Sequence, residues 1–460
     1  MPKLKLERTE LPKRPPEVRR KDFQEVAQGF GPEEAKDESL RCLLCPKPKC
    51  VLGCPVGIDI PGFVKALREG DLPRAVQVLK DKNNLPGVCG RVCPQESQCE
   101  AVCVLGKKGA AVGIGGLERF VADWQRQEKF PNAPILVAPT GKKVAVVGSG
   151  PAGLTAAADL ARSGHQVTIF EALHLPGGVL AYGIPEFRLP KAMLQAEVDY
   201  VRSLGVDIRL DWVVGRTMSL EETLATHQAA FLATGAGLPM FLNVPGENLT
   251  GVYSANEFLT RINLMKAYLF PQYDTPLYLG RRVAVIGGGN VAMDAARCAL
   301  RLGAEEVALI YRRTKAEMPA RREELENALE EGIKLYPLRT PRAFLGDGRG
   351  RVTGMLVEEM ALGEPDASGR PRPVPTGKES YKSVETVVIA LGTTPNPLLP
   401  STTPGLQSTR HGTLVADDWG KTSLAQVWAG GDVVSGAATV ISAIGQAKKA
   451  SQAINQFLKD

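Results

Sequence analysis

The clearest pattern in this chain is a repeated alternation of short apolar runs, glycine turns and helical stretches. The first copy has an apolar run, a glycine turn, an alanine-rich helical stretch and a second apolar run at residues 144–147, 148–153, 154–162 and 166–170. The second copy has the same four parts at residues 283–286, 287–292, 293–301 and 307–311. Since strand, helix and strand in this order form a parallel crossover unit, two copies predict two doubly wound parallel sheets and an α/β fold.

Three further strand-like runs reach a glycine, at residues 231–235, 387–392 and 427–432. The chain before residue 127 has no strong strand pattern. Apolar spacings of three and four predict short helices there, at residues 60–68 and 72–79. The second part of the chain is therefore expected to contain sheets, and the first part a small helical domain.

Two segments flank the helical domain. The first 36 or so residues are charged and rich in proline, so we expect an arm that lies on a surface or is partly disordered. Residues 130–134, with two prolines, are expected to be the exit linker.

Composition narrows the class of protein. A chain of 460 residues exceeds one hydrophobic core and predicts two to three domains. The net charge of +6 comes without a dense basic block interleaved with aromatic residues, which argues against nucleic acid as a partner. The chain contains no run of 18 apolar residues, so no membrane span is predicted. Many thiols without an export signal indicate a reducing compartment, and we expect the cytoplasm.

Eight of the nine cysteines lie between Cys42 and Cys103, in two runs. The runs have the spacings Cys42-x2-Cys45-x4-Cys50-x3-Cys54-Pro55 and Cys89-x3-Cys93-Pro94-x4-Cys99-x3-Cys103. Cysteine runs with a Cys-Pro step are typical of iron–sulfur domains. Structural zinc is the main alternative, since the Cys42–Cys45 spacing fits a zinc ribbon, but the later spacings do not repeat it. A disulfide framework does not suit a long chain of this kind.

The first glycine turn follows a strand and opens a helix, as in dinucleotide-binding sites. Gly148 permits the tight turn, Gly150 lets the backbone approach a pyrophosphate, and Gly153 permits close packing of the helix. Pro151 and Ala152 begin the helix, whose N-terminus favours phosphate. Glu171 ends the next strand, where a carboxylate accepts hydrogen bonds from a ribose diol. This pattern predicts a dinucleotide with an unphosphorylated ribose.

The second turn predicts a different ligand. Gly287, Gly289, Asn290 and Val291 form it, and Ala292 replaces the third glycine. The next strand is followed by Arg312 and Arg313 in place of a carboxylate, and guanidinium groups bind a 2′-phosphate. This site is expected to prefer NADP(H) over NAD(H). Two alternatives are that Arg321 and Arg322 share the role, or that the arginine pair is only a solvated surface feature.

The three predicted sites define a sequence of redox steps. NADPH gives up two electrons as a hydride, whereas an iron–sulfur cluster accepts one electron at a time. A flavin handles both kinds of transfer, so FAD is the expected ligand of the first turn. Hydride transfer needs no acid, base or nucleophile from the protein, and no catalytic side chain is predicted.

These motifs together resemble the small (beta) subunit of glutamate synthase. Related proteins are the large subunit of the electron-bifurcating NADH-dependent ferredoxin:NADP oxidoreductase and the N-terminal half of dihydropyrimidine dehydrogenase. The resemblance extends from about Arg41 to the C-terminus. It rests on both cysteine runs, both glycine turns and the segments 114–119, 177–178, 182–185, 311–313, 317–320 and 429–432.

The resemblance implies two [4Fe–4S] clusters with ligands shared between the two runs. One cluster is expected to use Cys42, Cys45, Cys50 and Cys103. The other is expected to use Cys54, Cys93, Cys99 and the carboxylate of Glu118, which leaves Cys89 unused. From the residues alone, Cys89 is a ligand and Glu118 a surface residue of a helix. Cys298 is interpreted as a packing residue.

The resemblance also implies a split FAD domain with the NADPH domain inserted in it. The expected parts are an arm with the helical iron–sulfur domain at 1–135, the FAD domain at 136–270 and 386–460, and the NADPH domain at 271–385. Gly178, Gly431 and Asp432 are then expected at the flavin.

The predicted function is an oxidoreductase subunit in a hetero-oligomer, passing electrons between NADP(H) and a redox partner. The favoured context is the large subunit of an electron-bifurcating transhydrogenase, whose partners are a flavin/[2Fe–2S] ferredoxin-reductase-like subunit and ferredoxin. The alternative is the small subunit of glutamate synthase, whose partner is the large subunit. A non-catalytic scaffold with degenerate nucleotide folds is a third hypothesis.

Overall fold

The computed structural model of the chain describes residues 5–130, 137–366 and 369–459. Residues 131–134 of the expected linker lie outside this part. The N-terminal region is helical as predicted, with helices α1 (Pro16–Arg19), α2 (Pro32–Leu40), α3 (Lys49–Leu52), α4 (Ile60–Arg68), α5 (Leu72–Lys82), α6 (Pro86–Val92) and α7 (Ile114–Gln127).

Local sequence explains where the helices α4 and α5 begin. Asp59 and Asp71 are their N-caps, each accepting a backbone hydrogen bond of 3.0 Å three residues later. Both helices also carry proline in the first turn, where no backbone donor is lost. Their apolar faces meet those of α2 and α7 in one helical core.

The rest of the chain forms sheets covered by helices. The helices are α8 (Pro151–Arg162), α9 (Val179–Tyr182), α10 (Lys191–Ser203), α11 (Leu220–Thr226), α12 (Ala255–Asn263), α13 (Asn290–Arg301), α14 (Arg322–Glu330), α15 (Leu398–Thr402), α16 (Asp432–Ser435) and α17 (Val440–Phe457). The strands are β1 (Lys143–Val147), β2 (Gln166–Phe170), β3 (Asp207–Arg209), β4 (Ala229–Leu232), β5 (Leu238–Pro239), β6 (Val252–Ser254), β7 (Arg282–Ile286), β8 (Glu306–Tyr311), β9 (Lys334–Pro337), β10 (Arg339–Gly346), β11 (Val352–Pro365), β12 (Pro371–Ser383), β13 (Thr386–Ile389), β14 (Thr393–Thr394) and β15 (Val427–Ala429).

The first sheet has the strand order β15-β4-β1-β2-β3, and all its pairings are parallel. Strand β15 comes from the C-terminal part of the chain, so the first sheet is built from two separate segments. Helix α17 packs against α8 on this sheet. The glycine turn after β1 thus lies at the carboxyl edge of the sheet, where α/β folds bind ligands.

The second sheet has the order β6-β13-β7-β8-β9, again all parallel. Strands β6 and β13 lie outside the range 271–385 expected for this unit. However, β6 pairs with β13 and β13 pairs with β7, so both strands belong to the second sheet. The second unit therefore spans residues 252–389. The short antiparallel pair β5 and β14 lies where the chain leaves and re-enters the first unit.

A three-stranded antiparallel sheet, β10-β11-β12, follows the second sheet and was not predicted. Most of β12 is exposed on both faces, so its sequence lacks the apolar alternation of a half-buried strand. This sheet extends the second unit beyond the doubly wound pattern.

The N-terminal segment is an arm laid over the second unit. Phe23 stacks on Tyr268 with 4.4 Å between ring centroids, and the backbone N–H of Val26 donates to Phe187 O at 2.9 Å. Arg19 is buried and pairs with Glu331 at 3.0 Å. Burial opposes ionisation of Glu331, but the hydrogen bonds and charges of arginines from α13 lower its pKa to about 2.

Replacing Arg19 with alanine is expected to destabilise the second unit. Breaking one partner of a buried ion pair costs about 3 kcal/mol, because the remaining polar groups stay buried. Lys13→Ala is the control, since Lys13 pairs with Glu330 at 3.8 Å near the surface and contributes at most about 1 kcal/mol. Thermal unfolding of both variants tests whether the arm stabilises the second unit. Equal unfolding midpoints for the two variants would contradict that role.

Candidate nucleotide and iron–sulfur sites

A cleft of about 450 Å³ lies between the two sheets and is lined by both glycine turns. Ten of the predicted site residues line it: Gly148, Gly150, Pro151, Ala152, Glu171, Gly178, Gly431, Asp432, Asn290 and Val291. Gly153, Gly287 and Gly289 belong to the same turns but are not part of its lining. Residues of two distant sequence motifs therefore share one cleft.

The glycines of the first turn have distinct geometric roles. A Cβ on Gly153 would lie 1.9 Å from Gly148 O, so only glycine lets α8 pack this closely against the turn. Gly148 has φ of +100°, in the region that favours glycine. A Cβ on Gly150 would meet nothing within 4 Å, which leaves its backbone open towards the cleft.

Glu171 is buried at the floor of this cleft. Its carboxylate accepts hydrogen bonds from the backbone N–H of Ser149 at 2.8 Å and of Leu173 at 2.9 Å. These bonds fix the carboxylate beside the glycine turn, as a ribose-binding acid requires.

Gly178 and Gly431 lie directly against the first turn: a Cβ on Gly178 would lie 2.9 Å from Gly150 Cα, and one on Gly431 would lie 3.1 Å from Ala152 Cβ. Both glycines have positive φ, +54° and +79°, and each precedes a short helix. Burial raises the pKa of Asp432, and burial with the charges of Asp432 and Glu171 raises the pKa of Tyr182 to about 12. The cleft is thus a poorly solvated site with fixed backbone groups, which fits a dinucleotide.

Arg312 and Arg313 have different environments at the end of β8. Arg312 is exposed. Arg313 is buried; it pairs with Asp366 at 2.6 Å and donates to Pro371 O at 2.7 Å. The guanidinium of Arg313 therefore holds the β11–β12 hairpin, and of this pair only Arg312 is open to a 2′-phosphate.

The alternative residues Arg321 and Arg322 lie against the helical domain. The Arg321 guanidinium donates to Arg91 O at 3.0 Å and to Gln95 Oε1 at 3.1 Å. The backbone N–H of Arg322 donates to Glu96 at 3.2 Å. Arg321 thus ties the second unit to the cysteine domain.

Four cysteines surround one cavity near the surface: Cys42, Cys45, Cys50 and Cys103. All four are half-buried. Burial, with the charges of Cys42 and Cys103, raises the pKa of Cys50 to about 11. Thiols this close are stabilised as thiolates by a cation, and the iron of a cluster supplies that charge. The donor set and the cavity fit a [4Fe–4S] cluster; we name this position the outer cluster site.

A second group of donors lies deeper, and we name it the inner cluster site. Burial raises the pKa of Cys99, and the charges of Glu100, and then of Glu118, Cys54 and Cys93, raise it further. Glu118 accepts a hydrogen bond of 2.7 Å from Asn83, and burial raises its pKa to about 8. A buried carboxylate beside three thiols also fits a cluster ligand.

Cys89 lies beside the inner cluster site as well. Its thiol is hydrogen-bonded to Cys93 and is 3.7 Å from Asn83 Oδ1, an acceptor. Within the described residues no three side chains are set to hold a single metal ion. Cys298 is buried on α13 among apolar residues, which agrees with a packing role.

Two interactions, one in the cleft and one in the segment that follows Arg188, are not predicted from the sequence. Nη1 of Arg188 donates to both carboxylate oxygens of Asp294 on α13, at 2.8 and 2.7 Å, and both residues line the cleft. Lys191 donates to the carbonyls of Leu180 and Leu189 at 3.1 and 3.2 Å. In the sequence, no pattern around Arg188 or Lys191 distinguishes these residues from exposed charged residues.

Gly150 and Gly153 of the first turn give a matched test, because an added Cβ would meet open space at Gly150 and backbone at Gly153. Gly150→Ala is expected to leave the apoprotein's unfolding midpoint unchanged, because its Cβ meets nothing within 4 Å. It is expected to weaken FAD binding about tenfold or more, because that Cβ would project into the open space through which the backbone can approach a pyrophosphate. Gly153→Ala is expected to lower the midpoint itself, because its Cβ meets backbone. Thermal unfolding and FAD titration separate the two effects; a stable Gly153→Ala protein would contradict the packing role.

Comparison with known proteins agrees with this geometry. Residues 19–130 match the family described as dihydropyrimidine dehydrogenase domain II, 4Fe-4S cluster, and residues 142–453 match the pyridine nucleotide-disulphide oxidoreductase family. The chain is 35% identical to the glutamate synthase [NADPH] small chain of Escherichia coli, over 99% of this chain and 98% of that protein. The chain belongs to the glutamate synthase small-chain family.

Other relatives are parts of different complexes. The NADP(+)-dependent formate dehydrogenase subunit beta of Moorella thermoacetica is 38% identical over 89% of this chain and 60% of that protein. The NADPH-Fe(3+) oxidoreductase subunit beta of Geobacter sulfurreducens is 38% identical over 89% of this chain and 64% of that protein.

Among solved structures, Mycobacterium tuberculosis FprA in complex with NADPH has a TM-score of 0.59 and 22% identity. That match covers 69% of this chain and 85% of FprA, and it confirms the fold of the two nucleotide units.

Family membership confirms the class of enzyme and its cofactors. This chain is an NADPH-dependent flavin and iron–sulfur oxidoreductase that uses FAD, NADP(H) and [4Fe–4S] clusters. The hypothesis of a non-catalytic scaffold is therefore excluded. None of the helices in the described part of the chain combines the length and apolar character needed to cross a membrane.

Proposed function

We propose that this chain carries electrons between NADP(H) and a partner protein, through FAD and then the inner and outer cluster sites. The observation that carries the proposal is the lining of the cleft. Asn290 and Val291 of the second turn face the same cleft as the first turn, so a nicotinamide and a flavin have one shared space. Pro94 also lines it, and Pro94 directly follows Cys93 of the inner cluster site.

Burial orders the two cluster positions. Two cysteines of the inner cluster site, Cys93 and Cys99, are buried and Cys54 is half-buried, whereas the outer four cysteines are all half-buried around a cavity near the surface. Electrons from the cleft therefore have a path outwards. The balance is one NADPH and two one-electron acceptors giving NADP⁺, one proton and two reduced acceptors; the flavin supplies the change from hydride to single electrons.

In this proposal the protein's residues mainly position and shield the reactants. Glu171 and the open backbone of Gly150 hold the flavin nucleotide, and Arg312 holds the 2′-phosphate of NADPH. The Arg188–Asp294 pair fixes the first unit against α13 at the cleft. Such positioning is the protein's main contribution to hydride transfer.

Two complexes are candidates for the physiological setting. The full-length match to glutamate synthase small chains favours a role as the NADPH-oxidising subunit beside a glutamate-forming large subunit. Residues 56–61 and 113–123 instead resemble the large subunit of the electron-bifurcating transhydrogenase, with a flavin/[2Fe–2S] subunit and ferredoxin as partners. Clusters bound by thiolates suit a reducing compartment, and we place the complex in the cytoplasm.

Native mass spectrometry of the complex purified under anaerobic conditions distinguishes these settings. A large amidotransferase-type subunit indicates glutamate synthase, and a small flavin/[2Fe–2S] subunit indicates the transhydrogenase. The electron-transfer proposal itself is tested by adding NADPH to the protein: flavin and cluster absorbance are both expected to bleach. Bleaching of flavin alone would contradict the proposed path.

A further inference from the structure

Five candidate donors in the described part of the chain share the inner cluster site. The charges of Cys54, Cys93 and Glu118 all act on Cys99. Cys89 lies beside them, hydrogen-bonded to Cys93 and within range of the charge of Glu118. A [4Fe–4S] cluster takes four protein ligands, so one of the two last donors is left out. A thiolate is the softer ligand and suits iron–sulfur clusters better than a carboxylate, so a carboxylate ligand requires a structural reason.

Asn83 lies between the two competing donors. Its side chain is fully buried, and its backbone N–H donates to Leu79 O at 2.9 Å at the end of α5. The side-chain Nδ2 donates to Glu118 Oε1 at 2.7 Å, and the side-chain Oδ1 lies 3.7 Å from Cys89 Sγ. One amide therefore presents a hydrogen-bond donor to the carboxylate and an acceptor to the thiol.

The backbone fixes which end of this amide faces which donor. Asn83 Oδ1 accepts the backbone N–H of Leu85 at 2.9 Å, at the turn before α6. If the amide were turned over, its NH2 group would face that N–H, and the bond to Glu118 would join two acceptors. The two contacts therefore allow a single orientation, with Nδ2 towards Glu118.

From this arrangement we propose that Asn83 selects Glu118 over Cys89 as the fourth ligand of the inner cluster. The inference deepens the proposed function, on which it rests, by giving the cluster a positioning residue. The bond to Oε1 fixes the direction of the other carboxylate oxygen, since hydrogen bonds from neighbouring groups orient metal ligands. At Cys89 the effect is opposite, because the lone pairs of Oδ1 accept a thiol S–H and repel a sulfur that carries negative charge.

Mössbauer spectroscopy of the holoenzyme, enriched in the Mössbauer isotope of iron, identifies the ligand directly. An iron bound to oxygen has a higher isomer shift than an iron bound to four sulfurs. In the wild type this component is expected in about one-eighth of the iron, since two [4Fe–4S] clusters hold eight irons.

Asn83→Ser is expected to lose the oxygen-bound component and to keep the bound iron of the wild type. Serine retains a hydroxyl acceptor for the Leu85 N–H, but it removes the donor to Glu118 and the oxygen beside Cys89. The Cys89 thiol then takes the open position. One iron–oxygen bond breaks, one iron–sulfur bond forms and the thiol proton is released to water, with no transfer of electrons.

A second substitution tests whether Cys89 is the replacement ligand. Asn83→Ser combined with Cys89→Ala is expected to lower bound iron by up to about half, because neither donor then holds the fourth iron. Where Asn83→Ser does not fold, Asn83→Asp serves instead. It keeps the shape of the side chain and replaces the donor with a carboxylate oxygen that repels Glu118, so it is also expected to lose the oxygen-bound iron.

Asn84→Ser is the matched control. Asn84 is the next residue, of the same type and equally buried, but its amide donates to Asp159 Oδ1 at 2.9 Å on α8. This variant is expected to keep the oxygen-bound iron at the wild-type fraction, whatever its unfolding midpoint.

The outcomes separate this inference from the proposed function. The selection would be overturned by a wild type without oxygen-bound iron, by a folded Asn83→Ser or Asn83→Asp variant that keeps it, by its loss in Asn84→Ser, or by unchanged iron in the double variant. In each of these cases the proposed function stands as long as NADPH bleaches flavin and clusters. Failure of that bleaching in a wild type that shows the oxygen-bound iron would contradict the proposed function alone.

Discussion

Replacing Arg312 with alanine is expected to lower kcat/KM for NADPH by roughly 10- to 100-fold and to leave kcat/KM for NADH nearly unchanged. A guanidinium bound to a phosphate contributes roughly 1.5–3 kcal/mol, and only NADPH carries the 2′-phosphate. Arg312 is exposed at the end of β8, where this group is expected to lie. Steady-state kinetics with both nucleotides and a dye acceptor measure the ratio.

Arg313→Ala is the matched control for this prediction. Its guanidinium is held by Asp366 and Pro371 O, so the variant is expected to loosen the hairpin and lower the unfolding midpoint. The NADPH/NADH ratio is expected to stay within about twofold of the wild type. A loss of preference in Arg313→Ala, with Arg312→Ala unaffected, would contradict this assignment of the 2′-phosphate.

The ligands of the inner cluster give the second large effect. Glu118→Ala is expected to remove or alter one of the two clusters, lowering bound iron by up to about half, because a cluster that lacks one of its protein ligands is held less firmly. Cys89→Ala is expected to retain both clusters. Iron analysis and electron paramagnetic resonance of the dithionite-reduced variants measure this directly.

The two variants are informative together because Cys89 and Glu118 both lie near Cys93. Cys89 is the better ligand by residue type, while Glu118 is buried and held by Asn83. If Cys89→Ala loses a cluster and Glu118→Ala keeps both with unchanged spectra, the inner cluster has four thiolate ligands instead.

Most regular elements were predictable from local patterns. The helices at 60–68 and 72–79 and the strands around both glycine turns are where the sequence places them, because apolar periodicity and capping residues act locally. The sequence places β6 and β13 with the first unit, because chain order does not reveal which sheet a short strand joins.

Side-chain partners were less predictable than elements. Arg312 and Arg313 are adjacent residues of the same type, so the sequence does not distinguish them. Only the fold of the β11–β12 hairpin shows that Arg313 forms an ion pair with Asp366. The hairpin itself, with polar residues on both faces of β12, carries no strong sequence signal. The N-terminal arm was expected, but its docking through Phe23 and Arg19 depends on contacts with residues more than 200 positions away.

The path from cleft to surface is tested most directly by stopped-flow reduction of a Cys99→Ala variant with NADPH. Cys99 belongs to the inner cluster site and does not line the cleft. The expected result is bleaching of the flavin at close to the wild-type rate, with loss of NADPH-driven reduction of the outer cluster and of ferredoxin. Undiminished ferredoxin reduction in a variant that lacks the inner cluster would contradict the proposed path.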